Sequence, residues 1–211
     1  MTELEAESGG SHIREIDRIA AFTDGVMAIA ITLLVLNIDV PHLGHQQGGQ
    51  LDEKLYHLWR DFLAYGISFA VIGRYWLIHH RFFATLARYD RRLVTLNLVF
   101  LAFIVLIPFV SDVIGLYGDI ATAVIAYAIV LSATASLNWM IVSYGLRHGF
   151  VAPGKRSEIE SFAGVRGVLV IVFFVISIPI AFLSPIAAQI TWLLIFVVRP
   201  RLPALPHGAS D

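Results

Sequence analysis

The chain reads as an all-α polytopic membrane protein with six transmembrane helices, and three features predict it. Of its 211 residues 57% are hydrophobic and only 15% are charged, and its mean hydropathy is +0.75. That leaves too little polar surface to clothe a soluble globule of this size. The apolar residues fall in blocks of about 20, the length an α-helix needs to cross hydrocarbon. The arginines and lysines cluster at alternate block ends, as expected for loops held on one side of a membrane.

The blocks lie near Ile19 to Val40, Leu58 to Phe83, Leu93 to Leu116, Ile120 to Leu146, Phe162 to Leu183 and Ile186 to Val198. The sixth is short and parted from the fifth by Ser184 and Pro185, which suit an N-cap followed by a first-turn proline; a broken or re-entrant final hairpin is the alternative. Ser157 and Glu160 have capping-box spacing and predict the start of the fifth helix, after a turn at Pro153 and Gly154. The opening MTELEAESGGSH is polar and acidic without a signal-peptide core, and the closing PRLPALPHGASD is Pro-rich. The expected organisation is one six-helix unit over 1–211, with 1–17 and 199–211 as tails.

Arg14 and Arg18 precede the first block; Arg81, Arg88, Arg91 and Arg92 join the second and third; Arg147, Lys155 and Arg156 join the fourth and fifth; Arg199 and Arg201 follow the sixth. Only Lys54 and Arg60 stand opposite them, with Asp112 and Asp119. Both termini are therefore expected in the cytoplasm. A net charge of −1 and the absence of zinc-finger, P-loop or dinucleotide fingerprints set aside nucleic-acid and nucleotide binding. With no cysteine there is no disulfide framework, thiolate nucleophile or Cys-ligated metal.

Polar residues within the spans are the candidate functional ones, because an ionised group in hydrocarbon costs roughly 2.5–3.5 kcal/mol on insertion scales. Arg18 and Asp24 stand at the mouth of the first span, His79 and His80 about a turn before the end of the second, and Asn97 one turn inside the third. All are expected at inner-leaflet depth, where a mutual hydrogen-bond network would satisfy them. Trp76, one turn from His80, shares its face. Two readings stand: a polar clamp holding three helices together, or a proton or metal site. Adjacent histidines project about 100° apart, a poor pair for one metal, and no metal set is assigned.

Ile29, Leu33 and Leu36 recur at i, i+4 and i+7, a branched stripe on one face of the first helix with Thr32 beside it. Pattern alone makes this lipid contact or packing, and Thr32 a bond to the carbonyl a turn back. Asp24 sits about 140° around the helix from Ile29, so acid and stripe meet different neighbours.

The run RIAAFTDGVMAIAITLLVL, Arg18 to Leu36, closely resembles the signature of the prokaryotic branch of the transmembrane protein 175 family, relatives of the endosomal and lysosomal potassium channel. Arg18, Phe22, Thr23, Asp24 and Gly25 match its Arg, Phe-Ser-Asp and following Gly, with Thr in place of Ser. RYWLIHHRFF (Arg74 to Phe83) and LNLVFLAFIVLIPF (Leu96 to Phe109) are similar to its second and third spans. The resemblance implies a six-helix subunit without pore loop or voltage sensor, four copies surrounding a pore lined by the first helix. Accordingly, the chain has no TVGYG-like filter and no Arg-rich sensor helix. The resemblance further implies that Ile29, Leu33 and Leu36 form a hydrophobic constriction, Ile29 narrowest toward the cytoplasm, with Thr32 a candidate hydroxyl near the ion. Arg18, Phe22, Thr23, Asp24, Trp76, His79, His80 and Asn97 would form the buried network that positions the helix.

The implied activity is a cell-membrane potassium channel, modestly selective over sodium, assembled as a homo-oligomer, on the family's pattern a tetramer, with the permeant ion as its only ligand. One stripe cannot enclose a pore, so assembly is required. The rivals are proton permeation or secondary transport through Asp24, His79 and His80, and an intramembrane enzyme using them as acid and base. No internal repeat supports a transporter, and no nucleophile supports the enzyme.

Overall fold

The computed structural model describes residues 3–39 and 51–197, and these residues are helical, with no strand beyond one isolated antiparallel bridge between Leu86 and Val151. The helices are α1 (Glu3–Leu33), continued by a 3₁₀ turn Leu34–Asn37, α2 (Leu51–His57), α3 (Trp59–Ala84), α4 (Arg91–Tyr117), α5 (Ala121–Arg147), α6 (Arg156–Ala163), α7 (Val165–Leu183) and α8 (Pro185–Val197). Among the described residues four segments are long and apolar enough to cross a membrane: Arg14–Asn37, α3, α4 and α5. The fifth and sixth predicted spans coincide with α7, whose Gly167–Leu183 stretch is a shorter apolar helix, and with α8.

One local expectation is refined and one is corrected. The first span lies within a longer helix: α1 is continuous from Glu3 to Leu33, and the stretch long and apolar enough to cross a membrane is Arg14–Asn37. Val40, Val198 and the tail after it lie outside the described residues. The fifth span is not opened by Ser157 and Glu160. Lys155 holds the N-cap position of the separate helix α6, Ser157 falls inside it, and Arg156 Nε donates to Glu160 Oε1 at 2.7 Å, so this glutamate does not close a capping box. Helix α6 ends at Gly164, and Trp139 Nε1 donates to its last carbonyl, Ala163, at 2.8 Å. Ser184 does cap α8, accepting from the Ala187 N–H at 3.2 Å, with Pro185 as its first residue.

The order α1–α3–α4–α5–α7–α8 is also largely the packing order, α1 lying against α3 and α4, and α5 against α4 and α7. Asp90 starts α4 by accepting from the Leu93 N–H at 2.8 Å, and its second carboxylate oxygen accepts from the Tyr144 hydroxyl at 2.6 Å, which ties that start to the end of α5. Burial pushes Asp90 up, but the Tyr144 hydroxyl, the backbone N–H groups and His148 outweigh it and hold its carboxyl below the ordinary range. The adjoining loops are knitted by Ala87 N–H to Phe150 O and Ala152 N–H to Thr85 O, both 2.8 Å. Gly149 makes that reversal at φ 66°, a region that favours glycine. Where α5 crosses α3, Gly145 leaves room for the Phe82 ring: a Cβ there would lie 2.5 Å from Phe82 Cζ.

Candidate ion pathway and helix clamp

Helix α1 carries three distinct faces. Ile16, Thr23, Met27, Ala30 and Leu34 are buried, and at 100° per residue they fall within an arc of about 60°. Their spacing of seven, four, three and four is that of a seam packed on neighbouring helices. Asp24 projects to one side of that seam. Phe22, Ile29, Leu33 and Leu36 project to the other and stay uncovered by the chain, Ile29 being 61% and Leu36 71% exposed. The 3₁₀ turn preserves the alignment, because residues three apart eclipse in such a turn and Leu36 sits above Leu33. Thr32 is exposed, and its hydroxyl donates to the Ile29 carbonyl of its own helix at 2.8 Å.

The predicted network divides in two. One part is buried: Thr23 Oγ1 donates to Ile19 O at 2.9 Å, Asn97 Nδ2 donates to Thr23 Oγ1 at 2.9 Å, and Asn97 Oδ1 lies 2.8 Å from His79 Nε2. With the Asn97 amide nitrogen spent as a donor, its oxygen accepts, so His79 carries its proton on Nε2. The imidazole lies flat between Phe83 and Phe100, 4.3 and 5.5 Å from their centroids. Thus α1, α3 and α4 are fastened by one amide, one hydroxyl and one imidazole.

The other part faces outward. Trp76 Nε1 donates to Asp24 Oδ1 at 2.8 Å, the other carboxylate oxygen is 4.0 Å from His80 Nδ1, and His80 stacks on Trp76 at 5.3 Å. The Asp24 and His80 side chains are 40% and 55% exposed. Phe22 is 55% exposed, and Arg18 is exposed with no hydrogen bond or ion pair among the described residues. Of the eight residues expected in one network, a single chain by itself buries Thr23, His79 and Asn97. Asp24 is half-buried, and Arg18, Phe22, Trp76 and His80 are exposed in the single chain. His79 and His80 point into different surroundings, and no group of three His, Cys, Asp or Glu able to hold a metal occurs among the described residues.

Sequence reading missed a second buried polar set. Ser68 Oγ on α3 donates to Ser111 Oγ on α4 at 2.9 Å and lies 2.9 Å from the Tyr127 hydroxyl on α5. The available signal was hydroxyl side chains deep within three predicted spans, but a lone serine in a span has no local partner to betray its role. Ser111 also lines a small polar cavity with Asn37, Asp61, Tyr65 and Asp112. Asn37, at the tip of the 3₁₀ turn, donates to Pro108 O at 2.6 Å and ties that end of α1 to α4.

The model of the endosomal/lysosomal potassium channel TMEM175 family matches residues 18–108, the stretch holding the stripe and both polar clusters around it. A potassium channel of Streptomyces collinus is 37% identical over 147 residues, 63% of this chain and 68% of that one. The endosomal/lysosomal proton channel TMEM175 of Gallus gallus is 39% identical over 94 residues, 42% of this chain but 19% of that longer protein. The crystal structure of a lysosomal potassium-selective channel TMEM175 homolog from Chamaesiphon minutus superposes with a TM-score of 0.78 at 28% identity, over 90% of this chain and 100% of that one.

Proposed function

This chain belongs to the TMEM175 family of ion channels, and on that premise we propose that it is the subunit of a potassium channel whose constriction is the Ile29, Leu33 and Leu36 stripe. The family is one of channels, not enzymes. The subunit is a single six-helix unit, α7 and α8 completing the spans. Four copies in the cell membrane, termini in the cytoplasm, turn their α1 stripes toward a common axis, because a single stripe cannot surround an ion. The observation that carries this reading is the division of labour on α1: one face is locked to α3 and α4 by Thr23, Asn97 and His79, while an apolar face with a hydroxyl at its edge is left uncovered.

A ring of branched aliphatic side chains gates by dewetting: water and ions leave when the bore narrows and return when it widens. Selectivity for potassium over sodium is modest, since shedding water against aliphatic walls costs more for the smaller, more tightly hydrated ion. Thr32 offers partial replacement, its hydroxyl oxygen keeping a free lone pair while its hydrogen is given to Ile29 O. The test is the reversal potential of the purified protein in planar bilayers under opposed potassium and sodium gradients, repeated with Leu33→Ala. The expected result is a potassium-directed reversal with unsaturating currents, and a larger conductance with lower selectivity in the variant. Currents unaltered by Leu33→Ala would remove the constriction from this stripe.

A further inference from the structure

Helix α1 is held against the bundle by polar bonds at two places. Its regular part stops at Leu33, and the 3₁₀ turn Leu34–Asn37 carries the chain on until Ile38 turns extended. Asn37 ends that turn. Ten residues of α-helix and four of 3₁₀ place it about 23 Å along the axis from Thr23 and within about 40° of the same direction. Thr23 and Asn37 thus flank the buried Met27, Ala30 and Leu34 on one face. Leu36, one residue before Asn37 and 71% exposed, projects about 120° away from it.

The two anchors are not equal. At Thr23, contacts of 2.9 and 2.8 Å run through Asn97 to His79, and all three side chains are buried. At Asn37 the tie is one bond, Nδ2 donating to the Pro108 carbonyl of α4 at 2.6 Å, and the residue is half-buried. That carbonyl has a second lone pair for the amide besides the one its own helix uses. Leu34 and Asn37 border a polar pocket of about 190 Å³ with Asp61, Tyr65, Ser111 and Asp112. Water in such a pocket finds carboxylates and hydroxyls to bond and competes for the Asn37 amide. The Thr23 end is therefore fixed, and the Asn37 end is held by a bond that can exchange with water.

We propose that Asn37 is a positioning residue for the ion pathway: its bond to Pro108 draws the 3₁₀ turn onto α4 and holds Leu36 back from the axis, which makes this end of the stripe the movable part of the constriction. The proposal rests on the channel reading above and names the residue that regulates the same stripe. Ile29 stands in regular helix, six residues from the Thr23 anchor. Leu36 stands beyond Leu33, in the 3₁₀ turn, whose poorer hydrogen-bond geometry yields more readily. With the bond made, the bore at Leu36 stays wet. With the bond exchanged for water, the turn leaves α4, the Leu36 side chains of the assembled copies approach one another and the bore dries. A neutral amide suits the place, since an aspartate there would offer the carbonyl no donor.

The experiment is single-channel recording of the full chain in planar bilayers under a potassium gradient, with oligomer assembly checked in detergent. Asn37→Leu removes the donor without adding charge; Asn37→Ser, whose shorter side chain stops short of Pro108 O, is the second variant if the first fails to assemble. The expected result is an open probability lowered about threefold to tenfold, the span that one interhelical hydrogen bond supports, with open-state conductance unchanged and Asn37→Gln restoring much of the loss. In a Leu36→Ala background the same substitution should have no effect, because no leucine remains to close the bore. Open probability unaltered by Asn37→Leu, an equal loss in the Leu36→Ala background, or failure of both variants to assemble would overturn the positioning role. Absence of potassium current from the unmodified protein, or currents insensitive to Leu33→Ala, would instead overturn the channel or stripe reading, so the failures are distinguishable.

Discussion

Asn97→Leu tests whether the buried cluster is what fastens α1. Asn97 is 1% exposed and makes two side-chain hydrogen bonds, one to each neighbouring helix. Leucine keeps the branched heavy-atom skeleton and is somewhat larger, so no cavity term enters and the leading cost is polar. Interhelical side-chain bonds in bilayers average about 0.6 kcal/mol and reach about 1.7. Thr23 still gives its hydrogen to Ile19 O, so only the His79 N–H is orphaned, adding a penalty of about 1 kcal/mol at the low end of the buried range. The expected loss is about 2 kcal/mol, roughly a 30-fold fall in the folded-to-unfolded ratio. Unfolding in mixed micelles with rising detergent denaturant, followed by tryptophan fluorescence, reads it directly. Thr23→Val supplies the second corner of a double-mutant cycle, and the pair should be non-additive because both sever the same bond. An Asn97→Leu protein as stable as the unmodified one, or strict additivity with Thr23→Val, would refute the clamp.

Two further outcomes concern the ends of the bundle nearest Arg88. Gly145→Ala places a methyl 2.5 Å from Phe82 Cζ and should cost about 1–3 kcal/mol, measured by the same unfolding titration, with Phe82→Leu recovering part of the loss. Asp90 has a folded-state carboxyl held below its unfolded value, so its contribution is present above about pH 3.9 and fades as pH falls through the folded value. The stability gap between the unmodified protein and Asp90→Asn should thus be constant from neutral pH down to about 5 and close only in stronger acid. Tyr144→Phe should narrow the gap, because it removes the 2.6 Å bond that favours the charged form.

What the sequence discloses follows from the range over which each signal acts. Span length and loop charge are local sums, so the helical segments were legible from Trp59 to Arg147 to within a residue or two. The Ser184–Pro185 cap was legible too, because the cap and its partner N–H lie three residues apart. The apparent capping box at Ser157 failed because a second short-range partner, Arg156, competes for Glu160. Asp24, His79, His80 and Asn97 were placed at one depth by counting turns, and depth is where counting stops. Which of two adjacent histidines faces inward depends on the azimuth of α3 against α4, set by Phe82, Phe100 and the other large rings between them. The Ser68–Ser111–Tyr127 contacts join residues 43 and 59 apart, with no trace in any local window.

Exposure alone says little about the stripe, since Leu98, Val105, Leu106 and Phe109 on α4 are comparably uncovered and a bilayer accounts for them. The difference lies in what surrounds each patch. The α4 patch also has an exposed hydroxyl, but at its end: Thr95, three residues before Leu98, donates to the Arg91 carbonyl at 3.0 Å. The α1 stripe has the Thr32 hydroxyl at its flank, Asn37 and Asp39 beyond one end and exposed Arg18 beyond the other. Polar and charged groups bracketing an apolar band at both ends are also found at a lipid-facing span, but a hydroxyl within the band is not needed there. A band that water must enter and leave has use for it, and a helix held on its far side by Asn97 and His79 can present that band at a fixed angle.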